Sequence, residues 1–524
     1  MSEFPVEAPA VGEEFFDRVE ETGSIIHSIL RGEHLVIIGH RKVGKTSILF
    51  RVGDELSGRE YIFAYTYIPE ASSVELVANE FMRSVLSALA GESRIIPVRE
   101  YVRIAIRRFP RVSSEILTLS ELKPNESVFR DALVLLDNIL EKIGMKAIVV
   151  FDEFQNIANI SLGILDYIRQ ALWRVRRIIV ILCGSMIRMI DRILSRPSMP
   201  LGLRRIKIEP FDFNTAREFM MMLSKKAIPE TILAFIYAIT GGMPFHIKVL
   251  LRRINSIGVE KISWWVVRKA LLEELLNDSG VLYNYYSAIE SRLESLSAIY
   301  LEILYAIAMG KRRLSEIARF LGKSMQDINY YVKRLREMEI IDEDNIILDE
   351  MFEIWMETAW PVVKKAPVPE LERRRKIFLQ AIDGIIEQYK SMLGWTVESI
   401  IYELIKKMRG ETISGEKMPN PVEVLRNIII NNEEFDILAI KNNNAWIIEI
   451  CTHPLTKEDV VNFEKKTKVI RGYNIKGKIL VALSTISHDA ISKATQLRIK
   501  IWTREFVKKL MRYYKIPVVS KFFS

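Results

Sequence analysis

The sequence predicts an α/β protein whose N-terminal half is built on a parallel sheet. Three continuous apolar runs support this prediction, at residues 35–38, 147–151 and 178–183. Such runs are typical of strands buried on both faces of a parallel sheet, whereas half-exposed strands alternate apolar and polar residues. Helical patterns separate the runs, as at residues 74–89 and 129–143, which is the order of strand–helix–strand units.

A glycine-rich loop follows the first run directly, with the pattern Gly39-x-x-x-x-Gly44-Lys45-Thr46. The glycines let backbone N–H groups surround an anion, and the helix that begins here points its positive end at the same place. In such a loop Lys45 reaches the phosphates of a nucleotide and Thr46 supplies a hydroxyl to Mg²⁺, with Ser47 beside it. A chance glycine pair is the alternative, but the flanking strand and helix favour a phosphate-binding loop.

Two acidic residues, Asp152 and Glu153, end the second run. Ligands bind at the carboxyl edge of a parallel sheet. We therefore expect Asp152 to hold Mg²⁺ through water and Glu153 to orient or deprotonate an attacking water. Together with the glycine-rich loop, this pair predicts a site that binds and hydrolyses a nucleoside triphosphate.

Three more residues are candidates for the same site. Ser185 follows the third run and is expected either to hydrogen-bond the γ-phosphate or the water, or to cap the next helix. Arg204 and Arg205 begin a further short strand, and an arginine beside the site would stabilise transition-state charge, in its own chain or in a neighbouring subunit. The sequence does not decide between the two arginines.

A basic segment, residues 94–122, lies between the second strand and the acidic pair and is predicted to be irregular. Its arginines are Arg99, Arg103, Arg107, Arg108 and Arg111. One interpretation is an insertion that contacts nucleic acid, and the favoured one is a solvated helix face.

These motifs resemble those of the archaeal ATPase family, a branch related to AAA+ proteins and close to the signal-transducing STAND ATPases. The matching segments are residues 17–20, 39–46, 152–153, 184–185 and 241–244, in that order. The resemblance covers roughly the first half of the chain. It implies a P-loop α/β core with a helical lid, ATP rather than GTP as the nucleotide, and adenine packed near Asp17, Arg18 and Pro244.

The middle of the chain is predicted to be a winged helix-turn-helix, from three helical patterns between residues 298 and 338 and a hairpin pattern at 340–348. Apolar spacing places one face of the third helix in a core. The residues expected on its outward face are Gln326, Asn329, Tyr330, Lys333 and Arg336. Amide and basic side chains of this kind contact base edges and phosphates, so we expect DNA binding. A protein-contact module is the alternative.

The last third resembles the PD-(D/E)xK nuclease fold, a restriction-endonuclease-like α/β domain. A helix with Glu398 precedes a hairpin that carries Asp436 and Glu449. The resemblance implies that these three carboxylates bind Mg²⁺ or Mn²⁺, which activates water on a phosphodiester. The lysine expected two residues after the second acid is replaced by Cys451.

A lysine from the following helix is one way to fill that role, and the sequence offers Lys457, Lys465 and Lys466. The other interpretation is a nuclease-like module that binds without cutting.

The overall composition is that of a globular protein with several domains. The chain has 524 residues and a formal charge of +9, which mildly favours an anionic partner. It has two cysteines, too few for a disulfide framework, and no signal peptide or apolar run long enough to cross a bilayer. We expect a cytoplasmic protein with no membrane partner, and a homo-oligomer is a further hypothesis.

The predicted domains are 1–290, an ATPase with its helical lid from about 210; 291–363, the winged helix; 364–369, a linker; and 370–524, the nuclease-like domain. The predicted function is a Mg-dependent ATPase that binds DNA and presents a nuclease-like domain under ATP control. The alternative is a nucleotide-controlled switch whose C-terminal domain binds DNA or protein without cleaving.

Overall fold

The computed structural model describes residues 15–57, 60–70, 72–195, 202–258, 260–365 and 369–523. The chain divides into two compact units. The first extends to Phe211 and includes the short segment Met243–Phe245. The second comprises Asp212–Gly242 and the chain from His246 onward.

The first unit contains the predicted parallel sheet. Its strands are β1 (Leu35–Ile38), β2 (Tyr61–Tyr67), β3 (Lys146–Asp152), β4 (Ile178–Gly184) and β5 (Arg204–Lys207). They lie in the order β2-β3-β4-β1-β5, and every neighbouring pair is parallel. Every residue of β1 and β4 is buried, which explains their continuous apolar sequences.

Helices cover both faces of this sheet. They are α1 (Val19–Leu30), α2 (Lys45–Leu56), α3 (Val74–Ala90), α4 (Val98–Arg108), α5 (Ser113–Ser120), α6 (Val128–Ile143), α7 (Ile157–Ile160), α8 (Gly163–Leu172) and α9 (Ile187–Leu194). The core on one face contains Val36 and Val149 with α3, α6 and α8, and the core on the other contains Ile37 and Val150 with α1 and α2. The prediction that residues 94–122 are irregular is wrong. They form α4 and α5, which bury Tyr101 and Ile116 against the neighbouring helices.

The second unit begins with helices. These are α10 (Phe213–Leu223), α11 (Glu230–Thr240), α12 (Pro244–Ser256), whose first two residues belong to the first unit, α13 (Trp264–Leu275) and α14 (Val281–Leu296). The break between α11 and α12 follows from two glycines with positive φ, Gly241 (59°) and Gly242 (73°), and from Pro244 in the first helical position.

Three helices and a short hairpin follow in the predicted order. They are α15 (Ile299–Ala308), α16 (Leu314–Leu321) and α17 (Met325–Glu337), and the next helix is α18 (Glu350–Thr358). The hairpin is held by an antiparallel bridge between Ile341 and Ile347. Of the predicted linker, residues 366–368 lie outside the described residues, and Lys364 and Lys365 end a π-helical turn (Pro361–Lys365).

The C-terminal region contains a mixed sheet of five strands, in the order β12-β11-β10-β9-β8. The strands, with a separate small hairpin, are β6 (Thr412–Ile413), β7 (Glu416–Lys417), β8 (Glu423–Ile430), β9 (Glu433–Lys441), β10 (Asn444–Cys451), β11 (Asn474–Ala482) and β12 (Lys500–Thr503). The helices are α19 (Leu371–Leu393), α20 (Val397–Lys407), α21 (Lys457–Thr467), α22 (His488–Gln496) and α23 (Arg504–Tyr513). Strand β8 and helix α23 were not predicted from the sequence.

Candidate functional site

The glycine-rich loop turns between β1 and α2 at the carboxyl edge of the first sheet. Gly44 has φ of 104°, a conformation that only glycine adopts without strain. Gly39 is needed for a different reason, since a Cβ there would lie 2.3 Å from the carbonyl oxygen of Ile208. The Lys45 Nζ donates to the carbonyl oxygens of Gly39 (2.8 Å) and His40 (3.0 Å), which holds the ammonium group over the loop.

Asp152 lies beside the start of α2, where the predicted metal-binding residues meet. Its Oδ2 accepts hydrogen bonds from the Thr46 hydroxyl (2.8 Å) and from the Tyr65 hydroxyl (2.7 Å). Burial, and then the negative charge of Asp152, raise the pKa of Tyr65, so this hydroxyl remains a donor. Tyr65 was missed from the sequence because it is one aromatic residue among several in β2.

Glu153 is held in a defined position by two neighbours. Its backbone has φ of 53°, a left-handed conformation that costs a non-glycine residue about 1 kcal/mol. Its Oε2 accepts hydrogen bonds from the Ser185 hydroxyl (2.8 Å) and from the Gln155 side-chain amide. Ser185 therefore contacts the carboxylate predicted to handle water. Gln155 was missed, although its position two residues after Glu153 is the signal that would have revealed it.

The segments predicted to surround adenine lie near the same loop. Asp17 and Arg18 both have positive φ, and the Arg18 guanidinium donates to the carbonyl oxygen of Glu209 (2.7 Å). Arg18 also lies over the Phe211 ring, 4.4 Å from its centroid. Next to Pro244, Met243 packs in the core beneath the loop and Phe245 lies under the Lys42 ammonium, at 4.9 Å.

Arg204 and Arg205 do not lie beside the phosphate-binding loop in their own chain, and this part of the prediction is wrong. Arg204 is paired in register with Leu35, the first residue of β1, whereas the loop follows the last residue. The strands are parallel, so Arg204 lies about 10 Å along the strand from the loop. Arg204 forms an ion pair with Glu33 (3.3 Å) and Arg205 with Asp191 (2.5 Å). A role across subunits stays a prediction.

Four of the five residues predicted to contact DNA are exposed on α17. These are Gln326, Asn329, Tyr330 and Lys333. The fifth, Arg336, does not face outward: it is half-buried, and it donates to the Asn345 side chain (2.8 Å) in the hairpin. The prediction for Arg336 is therefore wrong, because its hydrogen bond to Asn345 in the hairpin holds the guanidinium group.

The hairpin itself is occupied by contacts with the C-terminal region, through an ionic cluster. Lys509 of α23 forms ion pairs with Asp342 (2.9 Å) and Asp344 (2.5 Å). Close by, the buried Glu353 carboxylate accepts from Arg312 (2.9 Å) and pairs with Lys515 (3.2 Å). Burial raises the pKa of Glu353. The positive charges of Lys515, Arg312 and Arg512 outweigh this effect and lower the pKa of Glu353 to about 2.

A second polar site lies on the C-terminal sheet. Asp436 and Glu449 lie opposite each other on the neighbouring strands β9 and β10, next to the paired residues Ile437 and Ile448. The Asp436 Oδ2 accepts from the backbone N–H of Ile450 (2.7 Å). Of the three lysines considered from the sequence, Lys466 of α21 contacts this pair, and it forms an ion pair with Glu449.

Burial dominates the electrostatics of this carboxylate pair. It raises the pKa of Asp436, and the charge of Glu398 adds to that increase. Burial also raises the pKa of Glu449, whereas the hydrogen bond from Lys466 opposes it. Burial raises the pKa of the Cys451 thiol to about 12, so this side chain is neutral and cannot replace a lysine.

The predicted set of three metal-binding carboxylates is not assembled. In the part of the chain that the structure describes, no three His, Cys, Asp or Glu side chains are grouped closely enough to hold a metal ion. Glu398 lies in the first turn of α20, close enough to affect Asp436 but outside such a group. Asp436 and Glu449 alone fit a cation, because the second oxygen of Glu449 is buried and has no hydrogen-bond partner among the described residues.

Comparison with known proteins finds a family that matches the N-terminal part of the chain. A family described as an ATPase domain predominantly from Archaea matches residues 15–250, which contain every element of the phosphate-binding site. A helix that could cross a bilayer is absent from the described ranges.

Relatives extend the likeness over most of the chain. An uncharacterized protein of Methanocaldococcus jannaschii is 22% identical over 463 residues, which are 85% of this chain and 89% of that protein. The Walker-type ATPase of Pyrococcus abyssi is 21% identical, with a TM-score of 0.50 over 68% of this chain and 99% of the other. The ORC2 protein of Aeropyrum pernix is 15% identical, with a TM-score of 0.42 over 72% of this chain and 98% of the other.

Proposed function

We propose that ATP hydrolysis in the first unit controls a C-terminal domain that cleaves DNA; the match of residues 15–250 to an ATPase domain found predominantly in Archaea supports the first part of this proposal. The observation that carries this proposal is the position of Lys466. It supplies a positive charge beside Asp436 and Glu449, the role for which Cys451 is unsuited.

The hydrolysis site has a role for each residue. Lys45 binds the β- and γ-phosphates, and the backbone N–H groups after Gly39 surround them. Thr46 and Asp152, joined by a hydrogen bond, would hold Mg²⁺, which neutralises phosphate charge when it is bound. Glu153 orients the attacking water, and Ser185 and Gln155 keep its carboxylate in place.

The C-terminal site has the chemistry that a phosphodiester requires. Asp436 and Glu449 are two half-buried carboxylates on one face of the sheet, and they would hold a divalent cation that lowers the pKa of a bound water. The ammonium group of Lys466 lies beside them and would stabilise negative charge that develops on the scissile phosphate. The exposed residues of α17, including Asn329 and Lys333, would contact the DNA.

The second candidate function is a nucleotide-controlled switch whose C-terminal domain binds without cleaving. One observation favours it: Glu449 already forms an ion pair with Lys466, and among the residues that the structure describes no third ligand completes the pair. In that case Lys466 would be a structural ion pair.

The two candidates differ in an assay of plasmid nicking with purified protein, Mg²⁺ or Mn²⁺, and ATP. We expect the wild type to nick the plasmid and both Glu449→Gln and Lys466→Met to lose at least about 100-fold in rate. The matched control is Lys465→Met, because Lys465 is exposed on the same helix and should be dispensable. No nicking by the wild type, or equal nicking by Glu449→Gln, would favour the switch.

A further inference from the structure

We infer that an arginine stripe on α4 is a second nucleic-acid site, which binds the phosphate backbone of duplex DNA. The stripe consists of Arg99, Arg103 and Arg107. All three are exposed, and they recur every four residues, so they lie on one face of the helix. The inference rests on the proposed function in one respect, namely that the anionic partner is DNA.

The stripe lies in a part of the fold that the sheet does not require. A parallel connection such as that from β2 to β3 needs one helix, yet the chain forms four between these strands, α3 to α6. The opposite face of α4 is fixed: Tyr101 and Ala105 are fully buried in the core, and the Tyr101 hydroxyl donates to the carbonyl oxygen of Arg94 (2.7 Å). The arginines are therefore presented by a rigid, outer helix.

Local structure does not account for these charges. Arg103 forms an ion pair with Glu100, but Arg99 and Arg107 have no carboxylate partner among the residues that the structure describes. A cation in the last turn of a helix is stabilised by the helix dipole, which explains Arg107, but Arg99 lies in the first turn, where the dipole is unfavourable. A positive charge at Arg99, where the helix dipole disfavours it, indicates an anion outside the chain as its partner.

The spacing of the stripe fits a DNA strand. Residues four apart on a helix are separated by about 6 Å along its axis, so the three arginines span about 12 Å. One strand of duplex DNA carries a phosphate every ~3.4 Å of its axis. Because the strand also winds around that axis, successive phosphates lie farther apart than this rise, and the three arginines meet up to three phosphates. Arg111, just beyond the helix, is also exposed.

The test is the salt dependence of DNA binding by the full chain, measured by fluorescence anisotropy on a labelled duplex in EDTA, which prevents cleavage. Each phosphate contact contributes about 0.9 to the slope of log affinity against log salt concentration. We expect the triple variant Arg99→Gln, Arg103→Gln, Arg107→Gln to lower that slope by about 3 and to bind about 100-fold more weakly at ~0.1 M salt. Its ATP turnover should be unchanged.

The control removes three exposed positive charges elsewhere on the first unit, as Lys123→Gln, Arg174→Gln, Arg176→Gln. Equal losses in the two triple variants, or no DNA binding by the wild type, would overturn the inference. So would binding to vesicles of anionic lipid that is as tight as binding to DNA and is lost in the stripe variant. Failure of the cleavage proposal is read from Glu449→Gln and Lys466→Met in the nicking assay. Failure of the stripe is read from the triple arginine variant in the binding assay, so the two outcomes are distinguished.

Discussion

Ser185 offers a sharp test of the hydrolysis site because it contacts the carboxylate rather than the nucleotide-binding loop. Its hydroxyl donates to Glu153 Oε2 at 2.8 Å, and the Gln155 amide donates to the same oxygen. The change Ser185→Ala removes one of two hydrogen bonds that fix this oxygen.

The size of the effect follows from the charge of the acceptor. A hydrogen bond to a charged group contributes about 1.5–3 kcal/mol, and each 1.36 kcal/mol is tenfold in rate. If this bond acts only on the water-orienting carboxylate, kcat for ATP should fall roughly 10- to 100-fold, with KM nearly unchanged. Because Gln155 shares the acceptor, the double variant with Gln155→Ala should lose less than the sum of the two single effects.

The assay is steady-state release of phosphate from ATP, with ATP affinity measured separately. Ser195→Ala is the matched control, because the hydroxyl of Ser195, just after α9, donates to the carbonyl oxygen of Arg192 and makes no other hydrogen bond among the described residues. A Ser185→Ala variant with wild-type kcat would refute the assigned role. A rise in KM at unchanged kcat would show that Ser185 acts on nucleotide binding instead.

Burial and packing lead to four other predictions. The pKa of Glu353 is about 2 in the folded protein against 4.5 for a free side chain, so its contribution of about 3 kcal/mol is present above pH 4.5 and is lost as the pH falls toward 2. Acid unfolding of the wild type and Glu353→Gln should therefore converge only below about pH 3. Gly39→Ala should destabilise the protein by about 1–3 kcal/mol, since its Cβ would meet a backbone carbonyl. In contrast, Gly23→Ala, with open space around it inside α1, should stabilise by up to about 1 kcal/mol in chemical denaturation. Burial raises the pKa of both Cys183 and Cys451, so neither thiol should react with iodoacetamide at about pH 8 unless the protein is unfolded, as mass spectrometry would show.

The sequence predicts most of the first unit because its signals are local. Strand β1 and the glycine-rich loop are adjacent in the chain, and the residue types of the loop have few other uses. The roles of Arg204 and Arg205 could not be judged this way, since their distance from the loop depends on strand register. Leu35, rather than Ile38, turned out to be the neighbour of Arg204.

Contacts in the C-terminal site depend even more on how distant segments pack, and the sequence predicts fewer of them. The pairing of Asp436 with Glu449 is predictable from a tight hairpin, but which lysine approaches Glu449 depends on how α21 packs on the sheet. Strand β8 was missed because its sequence mixes charged and apolar residues, and none of its eight residues is buried. Its strand character comes from pairing with β9 rather than from an apolar pattern.

The most direct test of the central claim is plasmid nicking with and without ATP, in the wild type and in Lys45→Ala. This variant removes the ammonium group of the phosphate-binding loop and leaves Asp436, Glu449 and Lys466 unchanged. ATP is expected to alter the rate of nicking by the wild type several-fold and to have no effect on Lys45→Ala. A nicking rate that does not respond to ATP in the wild type, or that responds equally in Lys45→Ala, would contradict control of the C-terminal domain by the ATPase.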